Sequence, residues 1–369
     1  MRRVTVRTCQ EEGTVTTPPP DNLGSPAPPP NPWTPPDSSA DPWAAPPAPP
    51  TPPRDQRRAG WFASPPPGAS YAQLARTSRH RWWRPIVGTL VVVVAWLLGA
   101  GLLMVVLART ASPEAGFDPD TLWPKNPTWA LALSLATIAV ALPAIWLAAI
   151  WVQRRRPGTL SSVAGRLRWR WLAHCLGPAL VALLIAFTVY LALVPGEMRG
   201  VLTWNTTWTA FLTTAAVIVL LVPFQAAAEE YLTRGWLVQA AGAYLRTPWV
   251  GILLSAVVFA ALHLPPNGWT WLAHGSLGVL LAWLTVRTGG LEAAIAYHTV
   301  NNLVVLLLEA TAGPIDLSTV RAADWRSVVA ELVGYAVFAW LVVRSARRHR
   351  VASVVAAEER SPRGHPAAA

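Results

Sequence analysis

Long apolar runs dominate the chain from about residue 86 onward, and polar residues between them divide it into regular segments. Eight runs are long enough, or nearly so, to cross a hydrocarbon layer of about 30 Å. They are Ile86–Ala108, Thr128–Val152, Trp171–Val194, Trp208–Ala228, Pro248–Leu264, Trp269–Val286, Leu291–Ala310 and Ser327–Val343. The fifth and sixth runs are short, and periodicity does not separate a short span from a re-entrant segment. The pattern predicts an all-α polytopic membrane protein, a bundle of about eight transmembrane helices.

Composition supports this class over a soluble domain. The chain of 369 residues is 53% hydrophobic and 13% charged, and its mean hydropathy is +0.34. A net charge of +11 could indicate nucleic-acid binding, but the arginines cluster beside the apolar runs, as the positive-inside rule expects. We therefore expect a lipid bilayer and no nucleic acid as partner. Cys9 and Cys175 both fall on the predicted cytoplasmic side, where no disulfide is expected.

The first 84 residues differ from the rest because proline runs such as Pro18–Pro20 and Pro28–Pro30 fill them. A segment poor in backbone donors and apolar bulk cannot build a core, so it is predicted to be a disordered cytoplasmic tail. Docking of this Pro-rich tail in the aromatic-lined groove of a partner is the alternative to a solvated tail.

Charges in the connections predict the orientation. Arginines crowd the segment before the first run, the connections after the second, fourth and sixth, and the end of the chain, whereas the alternate connections are acidic. This alternation predicts that both termini are cytoplasmic. A single lysine, Lys125, among 30 basic residues is typical of a GC-rich bacterial genome, so a bacterial cell membrane is the expected location.

The fourth run contains two carboxylates and a guanidinium, Glu229, Glu230 and Arg234. Each such group costs roughly 2.5–3.5 kcal/mol at membrane depth, so it should have a partner or face water. Glu230 and Arg234 are four residues apart and share a helical face, which predicts an ion pair. Glu229 is rotated by about 100° from Glu230 and is left free as a candidate base.

Two further runs carry polar groups that could meet this glutamate. His263 ends the fifth run, and His298 and Asn302 lie one turn apart in the seventh. Taken singly, each could be a helix-bridging hydrogen bonder, and the Glu230–Arg234 pair could be purely structural. His274 is expected to serve packing or helix bridging. Three other glutamates are expected to be interfacial or capping: Glu292, Glu309 and Glu331.

Taken together, these residues resemble a known family. Glu229-Glu230-x-x-x-Arg234, Phe259-x-x-x-His263 and His298-x-x-x-Asn302 match, in order and spacing, the motifs of the CPBP family of type II CAAX prenyl proteases and Abi-type, bacteriocin-processing proteins. The resemblance covers roughly Trp208 to Leu308. It divides the chain into the tail (1–84), N-terminal transmembrane helices (85–200), CPBP-like catalytic helices (201–310), and a last transmembrane helix with a basic tail (311–369).

The resemblance implies an intramembrane endopeptidase acting on a peptide or membrane-protein substrate. Glu229 would activate water, His263 would hold that water or shuttle its proton, and His298 with Asn302 would donate to the oxyanion. Glu230 and Arg234 would fix the helix and orient their neighbours. No cofactor is expected. Zinc is the alternative, since two histidines and two carboxylates could ligate it, although asparagine is a poor zinc ligand.

Two other classes of function stay open at this point. A non-catalytic scaffold or immunity-type protein could use the polar cluster to bind a peptide. A solute or proton carrier could use it as a relay, although no internal repeat of the kind carriers show is visible.

Overall fold

The computed structural model describes residues 60–110, 116–118, 123–195, 203–315 and 322–357. Most of the predicted Pro-rich tail, residues 1–59, lies outside this range, as do several of the acidic residues used for orientation. Within the described residues the secondary structure is helical, apart from a few isolated β-bridges. The α-helices are α1 (Trp83–Thr110), α2 (Pro127–Ala139), α3 (Ala141–Trp151), α4 (Gly158–Ser161), α5 (Trp169–Leu193), α6 (Trp208–Glu230), α7 (Val238–Tyr244), α8 (Trp249–Leu262), α9 (Gly268–Thr288), α10 (Glu292–Ala312) and α11 (Trp325–Arg348).

The predicted helical bundle is confirmed. Seven helical stretches in the described residues are long and apolar enough to cross a membrane. The fifth predicted span corresponds to α8, which has only 14 residues and falls short of that length. The second span is divided into α2 and α3 at Val140. Pro143 explains this break, because its ring nitrogen cannot donate the helical hydrogen bond to the carbonyl of Ala139.

Polar residues at the ends of the apolar runs begin the helices. Asn126 accepts hydrogen bonds from the backbone of Thr128 and Trp129 and is followed by a proline at the first helical position. Asn267 accepts from the backbone N–H of Thr270 at 2.8 Å and begins α9. Because the first N–H groups of a helix have no helical partner, these side chains determine where each apolar run becomes helical.

The helices that carry the three motifs lie next to one another. The helix α10 packs against both α5 and α6, while α8 packs along α9. The last pair approaches closely, since a Cβ built on Gly278 would lie 2.7 Å from the Cα of Ala256. The neighbouring core is formed by aromatic and small side chains, with Phe259, Tyr297 and Phe338 fully buried. This packing brings residues from the fourth, fifth and seventh predicted spans into one place.

Residues 60–82 correct the predicted tail boundary at residue 84. Tyr71 and Leu74 are almost fully buried, and the Tyr71 hydroxyl donates to the carbonyl of Leu160 at 2.5 Å. Burial raises the pKa of Tyr71 well above its ordinary value. The segment also pairs with the end of the described chain, since Val355 donates to the carbonyl of Ala69 at 2.9 Å. Part of the Pro-rich sequence is therefore ordered against the bundle.

Two glycines position the start of α10. Gly289 adopts a left-handed conformation with φ of 71°, and a Cβ there would lie 2.7 Å from the carbonyl oxygen of Ala352. A Cβ on Gly290 would lie 2.3 Å from Glu292 Oε2 and 2.5 Å from a guanidinium nitrogen of Arg168. The Gly-Gly pair thus allows the chain to turn tightly around a buried ion pair between Arg168 and Glu292. Glu292, expected to be interfacial or capping, lies in the first turn of α10 and is one half of that pair.

Candidate active site

The helix that carries the first motif changes its winding directly after the two glutamates. Residues Tyr231–Leu237 form a π-helical stretch between α6 and α7. Such widened turns occur mostly as short interruptions of α-helices at functional sites. The sequence pattern did not predict this change, because apolar and polar positions in Tyr231–Leu237 read as ordinary α-helix.

Glu230 is fully buried, and one of its carboxylate oxygens accepts hydrogen bonds from two side chains. Its Oε1 lies 2.9 Å from a guanidinium nitrogen of Arg234, as the four-residue spacing predicted. The same oxygen lies 2.8 Å from Nδ1 of His298. The guanidinium of Arg234 also lies over the ring of Phe259, 4.2 Å from its centroid. Glu230 therefore ties the first motif to the third, and Phe259 of the second motif forms the floor beneath Arg234.

Glu229 has one bound oxygen and one free oxygen. Its Oε1 accepts a hydrogen bond from Gln225 Nε2 at 2.6 Å. Its Oε2 is buried and has no hydrogen-bond partner among the described residues. Two imidazoles face that oxygen: His298 Nε2 at 3.6 Å and His263 Nε2 at 4.0 Å. The structure thus brings Glu229, His263 and His298 together at distances longer than a direct hydrogen bond.

The backbone determines the tautomer of His263. Its Nδ1 lies 2.8 Å from the carbonyl oxygen of Phe259, and a carbonyl can only accept, so Nδ1 carries the proton. In the neutral ring, Nε2 then presents a lone pair toward Glu229. The sequence placed Phe259 four residues before His263, and this hydrogen bond across one helical turn uses that spacing.

Asn302 joins the site through a residue that the sequence analysis missed. Asn302 Nδ2 donates to Gln225 Oε1 at 3.1 Å, and the other end of Gln225 donates to Glu229. Because a carboxylate only accepts, these two hydrogen bonds fix the orientation of both side-chain amides. The second N–H of the Asn302 amide is then able to donate. Gln225 could have been found as the polar residue one helical turn before Glu229.

A cavity of about 760 Å³ adjoins Glu229 and His263. Its lining is mostly apolar and continues from the two motif residues past Val305 and Leu306 of α10 to Pro314 and Ile315. It therefore extends away from the arginine-rich connections. Glu309, expected to be interfacial or capping, is a third acidic or imidazole side chain in this lining.

His274 of α9 lies beside the site. Its ring packs against that of His263 in a tilted arrangement, with centroids 4.5 Å apart and planes inclined by 36°. Its Nδ1 is bonded to the carbonyl of Thr270 at 2.9 Å. His274 therefore packs against a motif residue, His263. Spacing along the sequence alone did not reveal this contact.

Residues 208–304 match the family model of the type II CAAX prenyl endopeptidase Rce1-like proteins. The chain is also 28% identical over 229 residues to "Uncharacterized protein YyaK" of Bacillus subtilis (strain 168), a match that covers 60% of this chain and 76% of that protein. No solved structure matches significantly. The matched segment contains Glu229, His263 and His298, so the resemblance found in the three motifs is confirmed. The seven apolar helices in the described residues indicate an integral membrane protein, and its segment 208–304 is similar to the Rce1-like type II CAAX prenyl endopeptidases.

Proposed function

Starting from the Rce1-like segment at residues 208–304, we propose that this protein is an intramembrane endopeptidase of the glutamic type, in which Glu229 activates water. The observation that carries the proposal is the buried, unpartnered Oε2 of Glu229, which faces His263 and His298 at the edge of a large cavity. The family supports a protease, and the site chemistry supports this mechanism for it.

The spacing of Glu229 and His263 suits one shared water. A water oxygen about 2.8 Å from each acceptor would span the 4.0 Å between them at an angle of about 90°, near the angle between its two O–H bonds. Both acceptor atoms present lone pairs, so the water donates one hydrogen to each. Its own lone pair is then directed at the substrate carbonyl carbon.

Hydrolysis follows from these positions. As the water oxygen bonds to the carbonyl carbon, its proton passes to Glu229, which acts as general base. The tetrahedral intermediate collapses when the C–N bond breaks and Glu229 returns the proton to the leaving amine, with His263 holding the transferred group in place. The products are a carboxylic acid and an amine.

Two side chains serve the oxyanion in this scheme. Asn302 has a free amide N–H once Gln225 has fixed its orientation. His298 donates Nδ1–H to Glu230, so it can also donate from Nε2 only as an imidazolium.

The arrangement fits zinc poorly. Two ligands of a tetrahedral zinc at about 2.1 Å lie about 3.4 Å apart, and the 4.0 Å between Glu229 Oε2 and His263 Nε2 exceeds that separation. In the described residues no group of three or more His, Cys, Asp or Glu side chains is placed to hold a metal ion. The second carboxylate, Glu230, already accepts from Arg234 and His298. We therefore assign water activation to Glu229 without a metal.

The proposal includes an orientation. Both termini lie in the cytoplasm of a bacterial cell, as the alternation of arginines indicates, and the ordered segment at residues 60–82 lies on that side. Cysteine labelling of the loop between Gln153 and Arg170 tests this. Labelling of this loop from outside the cell would show that the chain has the opposite orientation.

Purified full-length protein in lipid nanodiscs provides the test of function. Incubation with a library of apolar peptides is expected to give defined cleavage products that persist after exhaustive chelation. His263→Ala should abolish them, while His174→Ala, which changes a histidine outside the site, should not. One tightly bound zinc per chain, lost together with activity in His263→Ala, would show that the zinc alternative is right. Peptide binding without any cleavage would favour the scaffold.

A further inference from the structure

We propose that Glu309 is the subsite for a cationic side chain of the substrate, so that the protease selects an apolar peptide segment with one Arg or Lys about three residues from the cleaved bond. This inference rests on the proposed function and names the substrate class of the same site. It begins from the fact that Glu309 lines the same cavity as Glu229 and His263.

Glu309 lies on the face of α10 that carries the site. It follows Asn302 by seven residues, two helical turns, and Val305 and Leu306 of the intervening turn also line the cavity. At 1.5 Å per residue, Glu309 is about 10 Å beyond Asn302 along the helix axis. An extended peptide covers that distance in about three residues.

The position of Glu309 is unfavourable unless a cation comes near it. It is half-buried and lies in the last turn of α10, which ends at Ala312. The helix dipole disfavours a negative charge at that end, so Glu309 is not a helix cap. Across the part of the chain that the structure describes, it has no ion pair or hydrogen bond from another side chain. Ionisable residues are rare in membrane-spanning helices, and a carboxylate there that lacks a protein partner favours the binding of a cationic group.

The lining between the two carboxylates indicates the rest of the substrate. Trp96, Ile138 and Leu306 contribute apolar surface to the same cavity. The segment between the cleaved bond and the cation is therefore apolar, and the charge sits at the far end. A guanidinium or ammonium there would form a charge-assisted hydrogen bond with Glu309 inside an apolar cavity, where such bonds are strong.

The experiment uses fluorescent Leu/Ala peptides with a single Arg moved one residue at a time, together with matched peptides carrying Gln or Glu at the same place. Binding is measured to the full chain with Glu229→Gln in nanodiscs, so that the readout does not depend on hydrolysis. Cleavage is measured with the wild-type chain. In one register, Arg should improve binding and kcat/KM at least tenfold over Gln. Adding Glu309→Gln should remove the difference, and Glu309→Lys should favour the Glu peptide.

Glu331→Gln is the matched control, because Glu331 lies on α11, accepts from Tyr335 and does not line the cavity. It should keep the Arg preference. Equal binding of Arg and Gln peptides in every register, or a preference that survives Glu309→Gln, would overturn the subsite. Cleavage without charge preference would leave the proposed function standing and refute the subsite alone. Charge-selective binding without cleavage would support the subsite and refute the protease.

Discussion

The described residues contain two glutamate–arginine clusters built around a fully buried glutamate, and they differ in how fully their polar atoms are hydrogen-bonded. In the Arg168–Glu292 cluster, Glu292 Oε1 accepts from the backbone N–H and Nε of Arg168, and Oε2 accepts from its Nη2. The rest of the guanidinium donates to the carbonyls of Thr288 and Ala352. This cluster joins the starts of α5 and α10 to the end of the described chain, and none of its charged atoms lacks a partner.

The second cluster, formed by Glu229, Glu230, Arg234 and His298 and here called the motif cluster, has fewer of its polar atoms hydrogen-bonded. Four of its buried polar atoms have no partner among the described residues: Oε2 of Glu229, Oε2 of Glu230, and Nε and Nη2 of Arg234. A buried polar atom without a partner costs roughly 1–3 kcal/mol. Burial and ion pairing are common to both clusters, so these two properties do not show which cluster is the candidate active site. Unused hydrogen-bonding capacity next to a cavity separates a site that can act on a substrate from one that only holds the fold.

Removing Arg168, from the cluster whose charged atoms all have partners, should have the largest effect on stability. Arg168→Ala leaves Glu292 buried and unpaired, which costs about 3–5 kcal/mol. Thermal unfolding in detergent is the measurement, with Arg170→Ala as the control because Arg170 is exposed on the same helix. An unfolding midpoint unchanged by Arg168→Ala would show that the pair is not the tie described here.

His298→Gln tests the proposed oxyanion donor in the motif cluster. The variant cannot supply a charged donor from the position of Nε2, so kcat should fall about 10²- to 10³-fold, while KM changes less. Steady-state kinetics with a cleavable peptide provides the readout, and His174→Gln serves as the control. A large rise in KM with unchanged kcat would instead assign His298 to substrate binding.

Gln225→Leu tests the bridge that joins Glu229 to Asn302. Loss of a hydrogen bond to a charged group costs about 1.5–3 kcal/mol, or roughly ten- to a hundredfold in kcat/KM. Because Gln225 holds Asn302 in place, Gln225→Leu combined with Asn302→Ala should cost less than the sum of the two single changes. Additive losses would show that the two amides act independently.

The smallest expected effect is at the cap of α11. Asp324 accepts from the backbone N–H of Ser327 at 2.9 Å, and chiefly this bond lowers the pKa of Asp324 below its ordinary value. The cap therefore stabilises the helix above the ordinary pKa near 3.8, and this contribution is lost as the pH falls through the lower folded-state value. Asp324→Ala should cost about 1 kcal/mol at neutral pH. A similar loss in Asp324→Asn, which can still cap, would contradict this account.

The sequence predicted the parts of this structure that depend on periodicity and spacing. Apolar runs of membrane length predicted the helices, and four-residue spacings predicted the Glu230–Arg234 pair. The meeting of Glu229, His263 and His298 was expected only because three motifs occurred in a familiar order.

Other features depend on contacts that spacing does not encode. The π-helical winding of Tyr231–Leu237 leaves no mark in the hydrophobic pattern. The ring contact between His274 and His263 depends on how α8 and α9 pack. The ordered segment around Tyr71 was hidden by its proline-rich surroundings, although a few buried aromatic and apolar residues suffice to hold it. The pairing of Glu292 with Arg168 joins residues far apart in the chain.

The most direct test applies the same substitution to one glutamate of each cluster. Glu229→Gln and Glu292→Gln each remove one negative charge and keep the shape of the side chain. Peptide cleavage and the unfolding midpoint are measured for both variants and for the wild type, with cleavage assayed at a temperature where all three are folded. We expect Glu229→Gln to lose at least about 10³-fold in kcat/KM with an unchanged midpoint, and Glu292→Gln to unfold at lower temperature with kcat/KM near that of the wild type. Wild-type activity in Glu229→Gln, or equal losses of activity in the two folded variants, would contradict the account.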